Sequence, residues 1–436
     1  MTTAEVKLWG TRIGAVSIED DSTYCVFRYD PEFAKSGKQL SPLMMPLSED
    51  NYTFTNLPLT SFNGLPGLLA DSLPDKFGNT VIDAWLDSLG RSRDSFNAVE
   101  RLCYIGTRGM GALEFFSNMR ENMSKDEKIK LEQLIQISND VLLDRMSVSA
   151  KGTEALKQLI NVGTSAGGAR PKAILAYNDK TKEFRTGQVD VGQGFSYWIV
   201  KFDGVSNKVT QHEDNLTMFT RIEYAYYLMA IAAGIKMSES RLYHEGDLFH
   251  FMTKRFDRVE VDGKVEKLHM QTLAALIHRD YNDAGTVSYE YVVQVMNLLQ
   301  LPASEIRQFF KRMVFNVMAR NQDDHIKNIA FLMGRDGKWN LSPAYDMTYA
   351  HNPTGKWTAA HQMLINGKKS NITLEDIMHS ASVMNIKLKD AKKIIAEVTA
   401  AILQWDQFAK TAKLDEQTTV LIQKDFILLP TNNLEK

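Results

Sequence analysis

The pattern of apolar and polar positions divides the chain into a mixed first part and a mostly helical last part. Near the start, VKLWG and YCVFRYD alternate with the period of half-buried strands. LPDKFG then reads as a turn leading into an amphipathic helix, and the charged, Met/Leu-spaced stretch over 118–150 as helix with loops. From about residue 160 a Gly-rich turn, VGTSAGGARPK, runs into the apolar strand AILAYN. A second strand, YWIVKF, follows, then a helix over roughly 214–233, and FHFMTKRFDR as a strand with its exit. Beyond residue 286 the spacing is helical. In SEIRQFFKRMVFNVMARN the residues Ile306, Phe309, Phe310, Met313, Val314, Val317 and Met318 recur at i, i+3, i+4 intervals. IAFLM and KWNLS, on either side of the turn GRDG, interrupt that pattern and read as a hairpin.

Composition sets limits without choosing a function. The 436 residues suffice for about three domains or subdomains and for a large core without disulfides or metals. Hydrophobic residues at 44% and charged residues at 24% are ordinary for a globular protein. A formal net charge of −2 supplies no overall field toward nucleic acid or acidic membranes. Cys25 and Cys103 lie far apart without CxxC spacing, which excludes a disulfide framework and a cysteine-rich zinc site. MTTAEVKLWG lacks the features of a signal peptide, and no apolar run reaches about eighteen residues. A cytoplasmic protein with no membrane segment is the expectation.

Chemistry concentrates in Asn321–Asn328, NQDDHIKN, directly after the apolar helix. Taken alone, such a loop suits a metal site, a catalytic loop or a solvated turn. After it the chain enters the expected hairpin and emerges as SPAYDM, so Asp323 and Asn328 precede the hairpin and Asp346 follows it. In protein kinases a catalytic Asp accepts the substrate hydroxyl proton, an Asn five residues later holds Mg²⁺, and a second Asp beyond a short hairpin holds the metals on the phosphates. Asp323, Asn328 and Asp346 reproduce that order with oxygen donors that suit Mg²⁺. His325 follows the Asp here, whereas H-R-D-x-x-x-x-N places it before. A single histidine with carboxylates makes a poor zinc site.

Other residues fall into the same order. Lys201 lies in the apolar strand YWIVKF, like the kinase lysine that contacts phosphates and pairs with a helical Glu. Glu223 shares a helical stripe with Leu216, Phe219, Tyr227 and Ala230, where an ionised acid needs a partner. TSAGGARPK is neither Walker A nor G-x-G-x-x-G, but its small residues let backbone N–H groups approach phosphate. FMTKRFDR stands where a kinase chain offers backbone groups to adenine.

With these residues laid out, the chain resembles the HipA family of bacterial toxin Ser/Thr protein kinases over nearly its whole length. LPGLLADSLPDKFGNTVIDAWL is similar to the family's N-terminal region, SAGGARPK to its Gly-rich loop, KRFDR to its hinge, and NQDDHIKN with AYDM to its catalytic and metal segments. The resemblance implies an α+β, two-lobed protein-kinase-like fold, with a mixed α/β N-lobe, a mostly helical C-lobe and an N-terminal HipA-type subdomain. The divisions expected are 1–120, 121–257 and 258–436. It implies Asp323 as the catalytic residue and Asn328 and Asp346 as Mg²⁺ ligands. ATP would lie against Gly167, Gly168, Ala169, Arg170, Pro171, Lys172, Lys201, Lys254, Arg255, Phe256, His325, Ile326, Lys327, Asn328, Tyr345 and Asp346, with Glu223 as ion-pair partner of Lys201.

In the family a Gly-rich-loop serine is autophosphorylated, which switches off ATP binding. Ser165 occupies that position and Thr164 is the near alternative; an added dianion would repel the nucleotide. The implied partners are a protein substrate, within the family an aminoacyl-tRNA synthetase, and a small DNA-binding antitoxin through which any DNA contact would be indirect. Family loops often read D-G-H-x-K-N, whereas Asp324 replaces that Gly here and leaves open which acid is the base. Two rivals stand beside this reading: a small-molecule or lipid kinase of the same fold, and a non-catalytic antitoxin-binding co-repressor.

Overall fold

A computed structural model describes residues 1–74, 76–117, 127–142, 156–157, 159–160, 162, 170–205 and 218–429. The chain gathers into two compact units. The first comprises Met1–Val209, Met252–Asp280 and Leu332–Lys338; the second comprises Thr210–Phe251, Tyr281–Phe331 and Trp339–Lys436.

The first unit opens with an antiparallel sheet of β1 (Thr2–Leu8), β2 (Thr11–Ile18), β3 (Val26–Tyr29), β4 (Asn51–Tyr52) and β5 (Leu113–Phe116), in the order β4-β3-β2-β1-β5. β1 buries Ala4, Val6 and Leu8 on one face, as period-two alternation requires. Between β4 and β5 come α1 (Lys76–Ser88) and α2 (Ala98–Ile105). α2 starts with a capping box in which Asn97 and Glu100 satisfy each other's backbone N–H. Trp85, Phe96 and Tyr104 pack together beneath these helices.

A second sheet follows. It contains β6 (Lys128–Ile129), β7 (Lys172–Asn178), β8 (Glu183–Thr186) and β9 (Ser196–Lys201), with β7 between β8 and β9. β7 is buried from Lys172 to Tyr177, so side chains on both of its faces are covered, which matches the unbroken apolar run AILAY. α3 (Leu131–Leu142) accounts for the helical spacing expected within 118–150; residues 118–126 and 143–150 lie outside those described.

The strand Leu248–Lys254 runs from the second unit into the first, and the chain continues into the hairpin of β10 (Arg258–Val261) and β11 (Lys264–Lys267). Its exit is pinned by charge. Asp257 accepts from Arg255 at 2.7 Å, from Arg258 at 2.8 Å and from the Gly111 N–H at 2.7 Å, and both guanidiniums reach the Gly109 carbonyl. Burial alone would raise the Asp257 pKa, but the two guanidiniums win and hold it far below the usual carboxylate range. Burial brings Arg258 down to about 10.

The second unit is mainly helical: α4 (Phe219–Ala232), α5 (Tyr289–Leu298), α6 (Ala303–Met318), α7 (Leu374–Val383), α8 (Leu388–Ile402), α9 (Trp405–Thr411) and α10 (Glu416–Asp425). α6 packs on α5 and α8, and α4 on α8 and α9. The α6 face expected from spacing is buried from Phe309 to Met318, but so are Lys311, Arg312 and Asn316. Each of the three has a partner: Glu397 at 2.7 Å, the Ser342 carbonyl at 2.5 Å and the Tyr289 hydroxyl at 2.9 Å. β12 (Ala330–Met333) and β13 (Trp339–Leu341) form the expected hairpin, and Ser342 N–H donates to the Ala330 carbonyl at 2.9 Å.

Candidate active site

The loop after α6 is held before it is functional. Arg320, at φ +57°, turns the chain off the helix. Asn321 then donates its N–H to the Asn316 carbonyl at 3.0 Å and its carboxamide to Asn316 Oδ1 at 2.9 Å. Residues 321–325 continue without helix. The two acids separate there: the Asp323 side chain is 47% exposed, that of Asp324 1%.

A 3₁₀ turn over Ile326–Asn328 closes the loop. Ile326 is buried as its anchor, and Asn328 donates its carboxamide to the Asp323 carbonyl at 3.0 Å. His325 Nε2 stands 3.8 Å from Asp323 Oδ1, outside hydrogen-bond range. The Tyr281 ring flanks the loop, with the His325 ring 5.6 Å from it and Lys327 Nζ 5.0 Å from its centre. Past the hairpin, the Tyr345 hydroxyl donates to the Lys327 carbonyl at 2.8 Å and ties the two segments together. Asp346 sits at φ +52°, a left-handed conformation that Asp tolerates better than most residues.

Asp323, His325, Asn328, Tyr345 and Asp346 line one pocket of the second unit. Among the described residues no three His, Cys, Asp or Glu side chains cluster as a self-contained metal site. Mg²⁺ does not need one, since it takes one or two carboxylates and completes its shell with water and substrate phosphates. The hard-oxygen donors Asp346 and Asn328 in a shared pocket fit that ion, with no thiolate or second imidazole to suit zinc.

Asp324 has a different task. Its carboxylate accepts from the Tyr289 hydroxyl at 2.8 Å, His361 Nδ1 at 2.9 Å and the Gln362 N–H at 2.7 Å. Burial opposes its charge, but His361 and these hydrogen bonds keep its pKa below the ordinary value. A carboxylate committed to three donors is an anchor, whereas the Asp323 side chain is half-exposed. Tyr289, His361 and Gln362 are the residues that sequence reasoning does not find. The acid in place of Gly at 324 was the available signal.

Arg170, Pro171, Lys172, Lys201, Lys254, Arg255 and Phe256 lie in the first unit. Strand pairing sets Lys201 directly opposite Lys172, and Phe202 N–H donates to the Pro171 carbonyl at 3.3 Å beside Arg170. Lys254 is exposed at its strand end, and Phe256 is partly buried. Arg255 donates its N–H to the Tyr197 carbonyl on β9 at 2.8 Å and spends its side chain on Asp257. Thr164, Ser165, Gly167, Gly168 and Ala169 lie outside the described residues, as does Leu216. Glu223 is buried in α4 of the second unit, at 7% exposure.

Two family models match the chain: a HipA N-terminal domain over residues 4–116 and a HipA-like C-terminal domain over residues 164–405. A curated relative from Shewanella oneidensis, the serine/threonine-protein kinase toxin HipA, is 25% identical over 365 residues, covering 79% of this chain and 74% of the relative. A putative kinase of Haemophilus influenzae is 27% identical over 106 residues, 22% of this chain and 30% of its own length. Among solved structures, the Shewanella oneidensis toxin–antitoxin complex of HipA, HipB and operator DNA contains a similar chain. It matches with a TM-score of 0.67 at 20% identity, covering 97% of this chain and 94% of that one.

Proposed function

This chain belongs to the HipA family of kinases, with its α+β kinase-like fold, and we propose that it moves the γ-phosphoryl group of ATP to a protein Ser or Thr. The observation that carries this reading is the meeting of Asp323, Asn328 and Asp346 in one pocket. Asp323 orients the acceptor hydroxyl and takes its proton as the oxygen bonds to γ-phosphorus and the bond to the β–γ bridging oxygen breaks, releasing ADP, a role that typically contributes roughly 10²–10⁴-fold. Asn328 and Asp346 hold Mg²⁺, which when bound would screen the phosphate charge. Gly167, Gly168, Ala169, Arg170–Lys172 and Lys201 are the proposed phosphate-contacting residues, and Glu223 is the proposed ion-pair partner of Lys201. Lys254–Phe256 meets the adenine.

The toxin role and a small DNA-binding antitoxin partner are read from the relatives' names, with DNA reached through the antitoxin. Among the described residues no helix is long and apolar enough to cross a membrane, and the proposed site of action is the cytoplasm. Ser165 is the proposed self-modified residue that ends activity. The functional divisions remain 1–120, 121–257 and 258–436.

Brief expression followed by phosphoproteomics tests this, comparing wild type with Asp323→Ala and Asp346→Asn. Expected is one dominant protein phosphosite, plus Ser165 on the chain itself, both lost in the variants. Label on a small molecule alone, or growth arrest unchanged in both variants, overturns the protein-kinase reading.

A further inference from the structure

We propose that Asp324 is a positioning residue, tying the loop that carries Asp323 to the segment 350–362 so that the proton acceptor and the chain following Asp346 keep one geometry. The inference rests on Asp323 acting as the base.

The ties run along a buried chain of hydrogen bonds. Asn321 donates to Asn316, Asn316 to the Tyr289 hydroxyl, and Tyr289 to Asp324. From Asp324 the chain divides to His361 and the Gln362 backbone. Tyr289, Asn316, Asn321, Asp324, His361 and Gln362 are all buried, so water is a poor substitute for any of them. A second set of ties begins two residues before Asp324. Gln322 N–H donates to the Ala350 carbonyl at 3.0 Å, and its side chain meets His351 Nδ1 at 2.6 Å. The loop therefore grips both ends of the segment, Ala350–His351 through Gln322 and His361–Gln362 through Asp324.

The stretch between those ends closes on itself. Asn352 N–H donates to the Thr358 carbonyl at 3.1 Å, and Gln362 Nε2 donates to the Trp357 carbonyl. At its tip Trp357 is 41% exposed, with Lys356 over its ring. From Met347 to Leu374 the sequence has lysines and histidines but neither Asp nor Glu. Asp324 thus brings a carboxylate to the 361–362 end of this acid-free stretch, while Asp425, Glu290 and Asp376 hold Tyr349, Asn366 and Lys368.

The chemistry explains why an amide would not serve. All three partners are donors toward Asp324, and the Gln362 backbone N–H cannot reverse its role. An asparagine at 324 can keep its oxygen toward the Gln362 N–H, but its N–H₂ group then faces the Tyr289 hydroxyl and His361 Nδ1, which share Oδ2, so both give up their charge-assisted bonds to a carboxylate. Weaker ties let the loop move, and misplacing a reacting group by about 1 Å can cost on the order of 100-fold in rate.

The test uses the full chain and [γ-³²P]ATP, counting label on the chain itself and on dephosphorylated casein, with binding of a fluorescent ATP analogue measured in parallel. For Asp324→Asn the expected result is a kcat lower by about 10- to 100-fold, with analogue affinity and KM for ATP within about twofold of wild type. Tyr289→Phe, which removes one donor and little volume, should lower kcat by a smaller factor and keep nucleotide binding. Wild-type kcat in Asp324→Asn overturns the proposal. So does a loss of turnover matched by an equal loss of analogue binding, which would mark a general folding role. If wild type transfers no label, or Asp323→Ala labels as well as wild type, the underlying kinase reading has failed instead.

Discussion

Two buried carboxylates, one in each unit, remain ionised by different physics. Asp257 in the first unit is caged by the guanidiniums of Arg255 and Arg258. Asp324 in the second is cradled by a phenol, an imidazole and a backbone N–H. The first arrangement is a charge cluster that staples the exit of one strand to the Gly109–Gly111 turn. It is strong, and it has no proposed chemistry beyond holding Lys254–Phe256 in place. The second spreads modest hydrogen bonds over four segments of chain and lies under a loop that has to be exact. Strength fixes one point, whereas distribution fixes a geometry.

The sharpest way to break that contrast is Asp257→Ala. It leaves two buried guanidiniums without their counter-ion, and breaking a buried pair costs about 3–5 kcal/mol. Denaturant unfolding should show that loss, and a cost under ~1 kcal/mol would mean that water replaces the cage.

Acid gives a smaller, shared effect. Both carboxylates have folded-state pKa values below their ordinary ones. Their contribution is therefore fully present above the unfolded pKa of about 4 and is lost as pH falls through the folded values. Urea midpoints at pH 7 and pH 3 should fall in wild type, and fall less in Asp324→Asn, which cannot take up that proton.

Tyr289→Phe is the mildest probe. Losing one hydroxyl takes a donor from Asp324 and an acceptor from Asn316 and should cost about 1–3 kcal/mol in stability, read from the same urea curves. A loss as large as that from Asp257→Ala would show that the cradle is as concentrated as the cage.

How legible each part is in the sequence follows from how local its causes are. The buried face of α6 is written in its own spacing. Asp323, Asn328 and Asp346 can be matched because two flank one turn and a short hairpin carries the chain to the third. The hairpin over Arg258–Lys267 is legible as a D-G turn between the alternating runs RVEV and KVEK. Asp324 is opaque by contrast: its partners lie 35, 37 and 38 residues further from or nearer to the N-terminus. No periodicity or spacing rule reaches that far. The opposition of Lys172 and Lys201 is likewise a matter of strand register, which neither AILAYN nor YWIVKF states alone.

The backbone at Asp346 governs which inactive variant of this protein can be interpreted. Alanine there would remove a carboxylate and also ask a residue with little tolerance for positive φ to hold +52°. Lost activity and lost stability would arrive together. Asparagine accepts the same torsion and nearly the same volume, so Asp346→Asn isolates the missing charge and serves as the cleaner dead control.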